Sequence, residues 1–323
     1  MDKILKVKNL EVNFITNYGE IKAVRNVSFD LNKGEVLAIV GESGCGKSAL
    51  CRSLLKLLPR NGYIKSGEIL FKKNDLCKVS DEEMNKIRGN DISMIFQNPT
   101  TTLNPTITIG KQILEAIRIH NKINKVDAKK IVLQLMDLVG IDNVETRYNQ
   151  YPYEFSGGQR QRVGIARSLA VEPEFIVCDE PISALDVSIQ AQVINMLEEL
   201  QEEMGLTYLF IAHDLSMVKH ISSHIGVMYL GKLVEKGTSE EVYEHPEHPY
   251  TKALLSAIPI PDPRASKAKK RIILKGDVPS PIDPPPGCRF ASRCRYAKKI
   301  CLSEEPVMDE ISNGHFVACH LYK

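Results

Sequence analysis

No stretch of the 323-residue sequence approaches the about 18 consecutive apolar residues that a membrane-spanning helix requires. The first residues also lack the apolar core of a secretory leader, because Asp2, Lys3, Lys6 and Lys8 interrupt Met1 to Asn9. The expected location is therefore cytosolic, and a part in any membrane process would come through docking on other subunits that span the bilayer. An excess of one charge is missing as well. Forty-two basic and 40 acidic side chains leave a formal +2, so nothing marks a dedicated nucleic-acid surface. What is there is 43% hydrophobic residues, enough to build one large α/β domain plus an extension.

Residues 41–48 read Gly-Glu-Ser-Gly-Cys-Gly-Lys-Ser, a complete G-x-x-x-x-G-K-[ST] phosphate loop. Its flanks suit its mechanism: the apolar run Val36 to Val40 reads as a buried strand, and Lys47 to Leu58 as a helix with apolar residues at helical spacing. Gly41, Gly44 and Gly46 remove side chains where backbone N–H groups must approach phosphate oxygens, and the helix start points its positive end at them. Ser43, Cys45 and Ala49 belong to the same cradle. Lys47 is expected to reach the β- and γ-phosphates of a nucleotide, and the Ser48 hydroxyl to hold the Mg²⁺ that bridges them.

A second constellation is Phe175-Ile-Val-Cys-Asp179-Glu180, an apolar strand that ends in two adjacent carboxylates. Strand alternation puts them on opposite faces. Asp179 is expected beside Mg²⁺ or its water, and Glu180 at the water that attacks the γ-phosphate. Ser183-Ala-Leu-Asp186 follows, and Phe210-Ile-Ala-His213-Asp214 ends the next predicted strand, with His213 placed for the γ-phosphate and the attacking water. Alone, each element reads equally well as an acidic turn or a loop histidine; their succession is what points to nucleotide chemistry.

The phosphate loop, Gln97 after Met94-Ile-Phe, Phe155-Ser-Gly-Gly-Gln159, Asp179-Glu180, Ser-Ala-Leu-Asp and His213 occur in the order found in ATP-binding-cassette ATPases. Residues 1 to about 255 resemble that family. The resemblance implies an α/β fold: a P-loop NTPase, RecA-like core with an antiparallel β-subdomain and an inserted α-helical subdomain at about 98–158. It also implies that Gln97 touches Mg²⁺ and connects to membrane subunits. Ser156 and Gly158, with Gln159, would hold the γ-phosphate carried by a partner's phosphate loop, and Asp186 would lie at the nucleotide too. Counting back from Ala23-Val24 puts the adenine-stacking aromatic at Phe14, with Tyr18 as a second candidate; packing on a sheet face explains either ring as well.

Ile109 to Ile117 and Ala128 to Val139 carry apolar residues at three- and four-residue spacing, as amphipathic helices do. In the resembled family such helices form the subdomain that rotates when ATP binds. Pro99-Thr-Thr-Thr-Leu-Asn-Pro105 reads as a loop from its two prolines, and as the start of the surface where a transmembrane subunit docks.

From Ile258 to Pro286 proline and charge favour an extended connector, and 256–323 reads as a carboxyl-terminal extension. With the preceding His245-Pro-Glu-His-Pro-Tyr segment, it resembles the ATPase subunits of oligopeptide and dipeptide importers, a subfamily that includes nickel and glutathione importers. This resemblance implies a second cassette subunit, related or identical, two transmembrane permease subunits and an extracytoplasmic peptide-binding protein. It places the chain peripherally on the cytoplasmic face of the membrane. His245 and His248 read as loop residues more simply than as metal ligands.

Cys288, Cys294, Cys301 and Cys319 are spaced C-x5-C-x6-C-x17-C, hard to explain as disulfides in a reducing cytosol. The spacing lacks the tight pairs of zinc sites, whereas a [4Fe–4S] cluster needs four thiolates and no such pairing. Arg289, Arg293, Arg295, Lys298 and Lys299 would offset a cluster's negative charge. Zinc and free thiols stay open beside it. Two other classes are weighed: a soluble, non-transport cassette ATPase, and an iron–sulfur redox protein regulated by nucleotide.

Overall fold

Three strands of largely apolar sequence are buried along their whole length, as expected where both faces of a sheet are covered. They are Val36–Val40, Phe175–Asp179 and Thr207–Ala212. The computed structural model describes residues 2–259, 271–282 and 284–322. Among them the chain begins β1 (Lys3–Thr16), β2 (Gly19–Asn32), β3 (Val36–Val40), α1 (Lys47–Leu54), β4 (Gly62–Phe71), β5 (Asn74–Asp75), α2 (Asp81–Ile87) and β6 (Ile92–Ile95). It continues through α3 (Pro99–Thr102), α4 (Ile109–His120), α5 (Lys125–Leu138), α6 (Val144–Arg147), α7 (Gly157–Leu169), β7 (Phe175–Asp179), α8 (Val187–Met204) and β8 (Thr207–Ala212). Last come α9 (Leu215–Val218), β9 (His224–Tyr229), β10 (Lys232–Thr238), α10 (Ser239–Glu244), α11 (Pro249–Ala257), α12 (Ile300–Ser303), β11 (Asp309–Ser312) and β12 (His315–Val317).

Two compact units divide this chain. One comprises Lys78–Phe210 with short pieces at residue 2 and at residues 32–34. Its strands run in the order β8-β7-β6, with β6 parallel to β7, and helices α3, α4, α5 and α7 pack on one another. These helices bury Ile109, Ile113 and Ile117 of α4 and Val132 and Met136 of α5, the residues whose spacing marks an amphipathic face.

The other unit holds Lys3–Leu31, Glu35–Cys77 and the chain from Ile211 onward. One sheet there has the order β2-β1-β4-β5, with β1 antiparallel to β4. A second set runs β11-β12-β10-β9-β3: β3 and β9 are parallel, and β9, β10, β12 and β11 are antiparallel in turn. The extension therefore contributes strands to the same sheet as the phosphate-loop strand.

Two local expectations change. The helix expected over Lys47–Leu58 stops at Leu54, because Lys56 turns left-handed at φ 49°. Its N–H donates to the Ser53 carbonyl (3.2 Å) and that of Leu57 to Arg52 (2.8 Å), the pattern that closes a helix C-terminus. The loop expected from Pro99 contains the helical turn α3, since Pro99 sits at a helix start, where a missing N–H costs nothing, and Asn98 caps it through the Thr100 N–H (2.9 Å). The connector expected over Ile258–Pro286 lies partly outside the described residues; 271–282 carry no helix or strand.

Candidate nucleotide site

The phosphate loop leaves β3 and enters α1 within the second unit. Two of its glycines are required by space. A Cβ on Gly41 would stand 2.1 Å from the Met228 carbonyl oxygen, and one on Gly46, which also has φ 105°, 2.1 Å from that of Ala23. Gly46 caps α1 without a side chain and the first turn has no acid, so the helix start keeps its amides and its positive end for an anion. Lys47 is buried, and its Nζ donates to the carbonyls of Gly41 (2.8 Å) and Glu42 (3.1 Å), which hold the cation inside the loop. Ser43 and Gly44 are exposed at the rim, and Ser48 and Ala49 are half-buried at the helix start. Cys45 is buried and its thiol is pushed up in pKa by that burial, so what it can offer a phosphate is its backbone N–H.

Phe14 lies on β1 opposite Gly62 of β4, and a Cβ at Gly62 would meet its ring at 2.6 Å. Its ring is half-buried; Tyr18, in the β1–β2 turn, is 88% exposed. His213 follows β8 directly and is exposed, while Asp214 caps α9 by accepting the Ser216 N–H at 2.8 Å.

The first unit holds the carboxylates and the Ser-Gly-Gly segment. Asp179 is the last residue of β7 and is buried. Glu180 leaves the strand with φ 47°, a left-handed conformation that costs a non-glycine residue on the order of 1–3 kcal/mol and persists only where neighbours enforce it. Ser183 is one residue that holds this turn: its N–H (3.2 Å) and Oγ (3.1 Å) both donate to the Glu180 carbonyl. Glu180 Oε2 accepts a hydrogen bond from Gln97 Nε2 at 2.8 Å. The sequence assigns the two residues separate tasks, and the structure joins them by this hydrogen bond. The role of Ser183 was missed, although its place three residues after the glutamate is a turn spacing.

Ser156 caps α7: its Oγ accepts the Gln159 N–H (3.3 Å), and Gln159 Oε1 accepts the Ser156 N–H (3.1 Å). Ser156 and Gly157 are exposed and Gly158 is half-buried, so a 13-residue helix presents an acid-free N-terminus on the surface. Asp186 occupies the corresponding cap position of α8 without a side-chain cap bond.

The four carboxyl-terminal cysteines are half-buried, and the Cys288 N–H donates to the Cys301 carbonyl at 2.8 Å. The Cys288 thiol is pushed up to about 11 by burial, with further contributions from Cys301, Cys319 and Cys294. The Cys294 and Cys319 thiols are raised as well, by burial first. Lys298 N–H donates to Cys301 Sγ at 3.4 Å. Among the described residues, however, no set of three or more His, Cys, Asp or Glu side chains is placed to hold a metal ion, so the thiols as arranged do not form a cluster's ligand cage. Arg293 does not face a cluster either: its guanidinium is taken by Glu42. His248 is no ligand, since its Nδ1 accepts the Tyr250 N–H (3.1 Å) at the cap of α11.

Comparison with known proteins agrees with this geometry. Residues 24–183 match the family model described as ABC transporter, and residues 234–301 the one described as oligopeptide/dipeptide transporter, C-terminal region. The solved dimeric structure of the ATP-binding cassette MJ0796 bound to ADP and Pi aligns with TM-score 0.66 and 26% identity, over 73% of this chain and 98% of that one. The chain is thus an ATPase of the ATP-binding-cassette type. It belongs to the ABC transporter family, in the branch of the oligopeptide/dipeptide transport ATP-binding proteins. AppF of Bacillus subtilis (strain 168), an oligopeptide transport ATP-binding protein, is 51% identical over 96% of this chain and 92% of its own. The dipeptide transport ATP-binding protein DppD of Lactococcus lactis subsp. cremoris (strain MG1363) is 49% identical over 98% and 90%. No helix among the described residues is long and apolar enough to cross a membrane.

Proposed function

We propose that this chain hydrolyses ATP to energise the uptake of di- and oligopeptides, as one of two cassettes on the cytoplasmic face of a membrane transporter. One observation carries the reading: the chain has a complete phosphate loop and, in its other unit, a Ser-capped, acid-free helix start exposed for an anion. A second cassette, related or identical, would bring its own γ-phosphate to Ser156, Gly158 and Gln159 and offer its own such segment to the loop here. Two permease subunits, fed by an extracytoplasmic peptide-binding protein, would receive the motion near Gln97.

In this reading the Gly41–Ser48 cradle and Ala49 bind the phosphates, Lys47 turns from its two carbonyls to the β- and γ-oxygens, and Phe14 stacks on adenine. Glu180, oriented by Gln97 and held by Ser183, takes a proton from the water whose oxygen attacks the γ-phosphorus. The bond to the β–γ bridging oxygen then breaks and ADP departs, with His213 and Asp186 lining the nucleotide. Ser48, Gln97 and Asp179 would each offer an oxygen, the donor type that suits Mg²⁺, and the ion would offset charge on the phosphates.

Glu180→Gln should retain ATP binding and lose turnover by about 10²–10⁴-fold; wild-type turnover would remove Glu180 from its role. Cargo is decided by uptake into vesicles holding the whole transporter. Peptide accumulation that stops with Lys47→Ala supports the reading. Accumulation of nickel or glutathione instead would reassign the cargo, and function surviving Lys47→Ala would favour the redox class. A [4Fe–4S] cluster at Cys288, Cys294, Cys301 and Cys319 is a separate proposal, supported by the number and spacing of the cysteines alone. Blue-region absorbance lost on replacing the cysteines would support it, and colourless, iron-free protein prepared without air would end it. No step of ATP turnover depends on it.

A further inference from the structure

Glu42 is a variable position of the phosphate-loop pattern, yet three separate groups hold it. Its carboxylate takes a two-pronged hydrogen bond from Arg293, Nη1 to Oε2 at 2.8 Å and Nη2 to Oε1 at 3.2 Å. Its N–H donates to the Tyr250 hydroxyl at 2.8 Å, and its carbonyl accepts Lys47 Nζ at 3.1 Å. Arg293 stands 251 residues further along, on the 3₁₀ turn Ala291–Arg293 between Cys288 and Cys294. The arginine side chain is only 10% exposed and the glutamate 29%, so water screens the pair less than it would a surface ion pair.

The turn that carries Arg293 is itself fixed. Phe290 packs edge-on to Tyr229 with ring centres 5.3 Å apart and lies 5.5 Å from Tyr250, which is edge-on to Tyr229 at 4.7 Å. Arg293 Nη1 also reaches the Tyr229 hydroxyl at 3.4 Å. The guanidinium is therefore delivered from a rigid aromatic platform, and a planar fork matched to a carboxylate holds both oxygens of Glu42 in a way that an ammonium cannot.

We propose that Arg293 of the carboxyl-terminal extension is a positioning residue of the phosphate loop: by clamping Glu42 it sets the loop in the shape that receives nucleotide phosphates. This rests on the proposed role of the loop in binding ATP. A preshaped loop lowers the ordering cost of binding, so the clamp acts on affinity and leaves the hydrolytic step alone. The extension thereby becomes part of the ATPase rather than an appendage to it.

The test uses the full chain in its assembled transporter, with turnover kinetics, and titration of the chain with a fluorescent ATP analogue and Mg²⁺. Arg293→Ala and Glu42→Gln should each raise KM and the analogue's Kd about 10-fold with kcat within about twofold, and the double variant should match either single one. Arg293→Lys, which keeps the charge and loses the fork, should fall between; it also serves if the alanine variant does not fold. KM within about twofold of wild type in a folded Arg293→Lys or Glu42→Gln variant would overturn the clamp, as would a double variant whose loss is the product of the two. A fall in kcat at unchanged KM would do the same. Lys47→Ala separates the two layers: if it binds the analogue as tightly as wild type, the reading of the loop as the ATP site fails, whereas its loss of binding beside normal Arg293 variants sinks the clamp alone.

Discussion

Two histidines near the extension oppose each other in their response to pH. Glu235 is fully buried and accepts the N–H groups of Glu247 (2.8 Å) and His248 (2.9 Å) and a hydrogen bond with His315 Nε2 (2.8 Å). That bond raises the His315 pKa, with Glu241 3.4 Å from the other ring nitrogen. Its stabilisation is present in full below the unfolded histidine value and is lost as pH rises through the folded one. His248 is buried and pushed down to about 3 from 6.5, so it folds neutral. Its contribution is present above pH 6.5 and is lost as pH falls from there towards 3. Urea midpoints measured against pH should fall on both sides of a maximum. His315→Ala should flatten the alkaline side, and His248→Asn, which keeps a cap acceptor, the acid side; an unchanged profile in either variant would refute the assignment.

At the scale of elements, the start of α7 is a helix cap, and under the proposed function it is an anion site as well. Ser156→Ala should cost about 1 kcal/mol of stability from the lost cap. It should also lower ATP turnover of the paired cassettes with little change in nucleotide binding to the isolated chain. Circular-dichroism melts and turnover measured together would show both, and equal turnover would leave the serine only its cap.

The same elements show what the sequence makes legible. β3 and β7 were readable to the residue or nearly so, because a strand buried on both faces leaves an unbroken apolar run that ends where the chemistry begins. α4 and α5 were readable from the spacing of the residues they bury. The end of α1 was not, since it depends on Lys56, a non-glycine, taking the left-handed conformation that closes the helix. The apolar run puts Glu180 at the strand end, whereas β7 stops at Asp179 and Glu180 turns off it with φ 47°. Arg293 was read as a neighbour of the cysteines, and its pairing with Glu42 spans 251 positions with no local trace.

For the molecule as a whole, the proposed function requires a second cassette, because it assigns each γ-phosphate to the phosphate loop of one chain and the Ser-Gly-Gly helix start of another. The extension belongs to this design through β12, which pairs with β10, and through Arg293 on the loop. The most direct measurement is ATP turnover per chain against the oligomeric state recorded by light scattering on the same sample, for the intact transporter and its separated ATPase subunits. Turnover confined to species that contain two cassettes is the predicted result. Full-rate hydrolysis by a species with one cassette would contradict it.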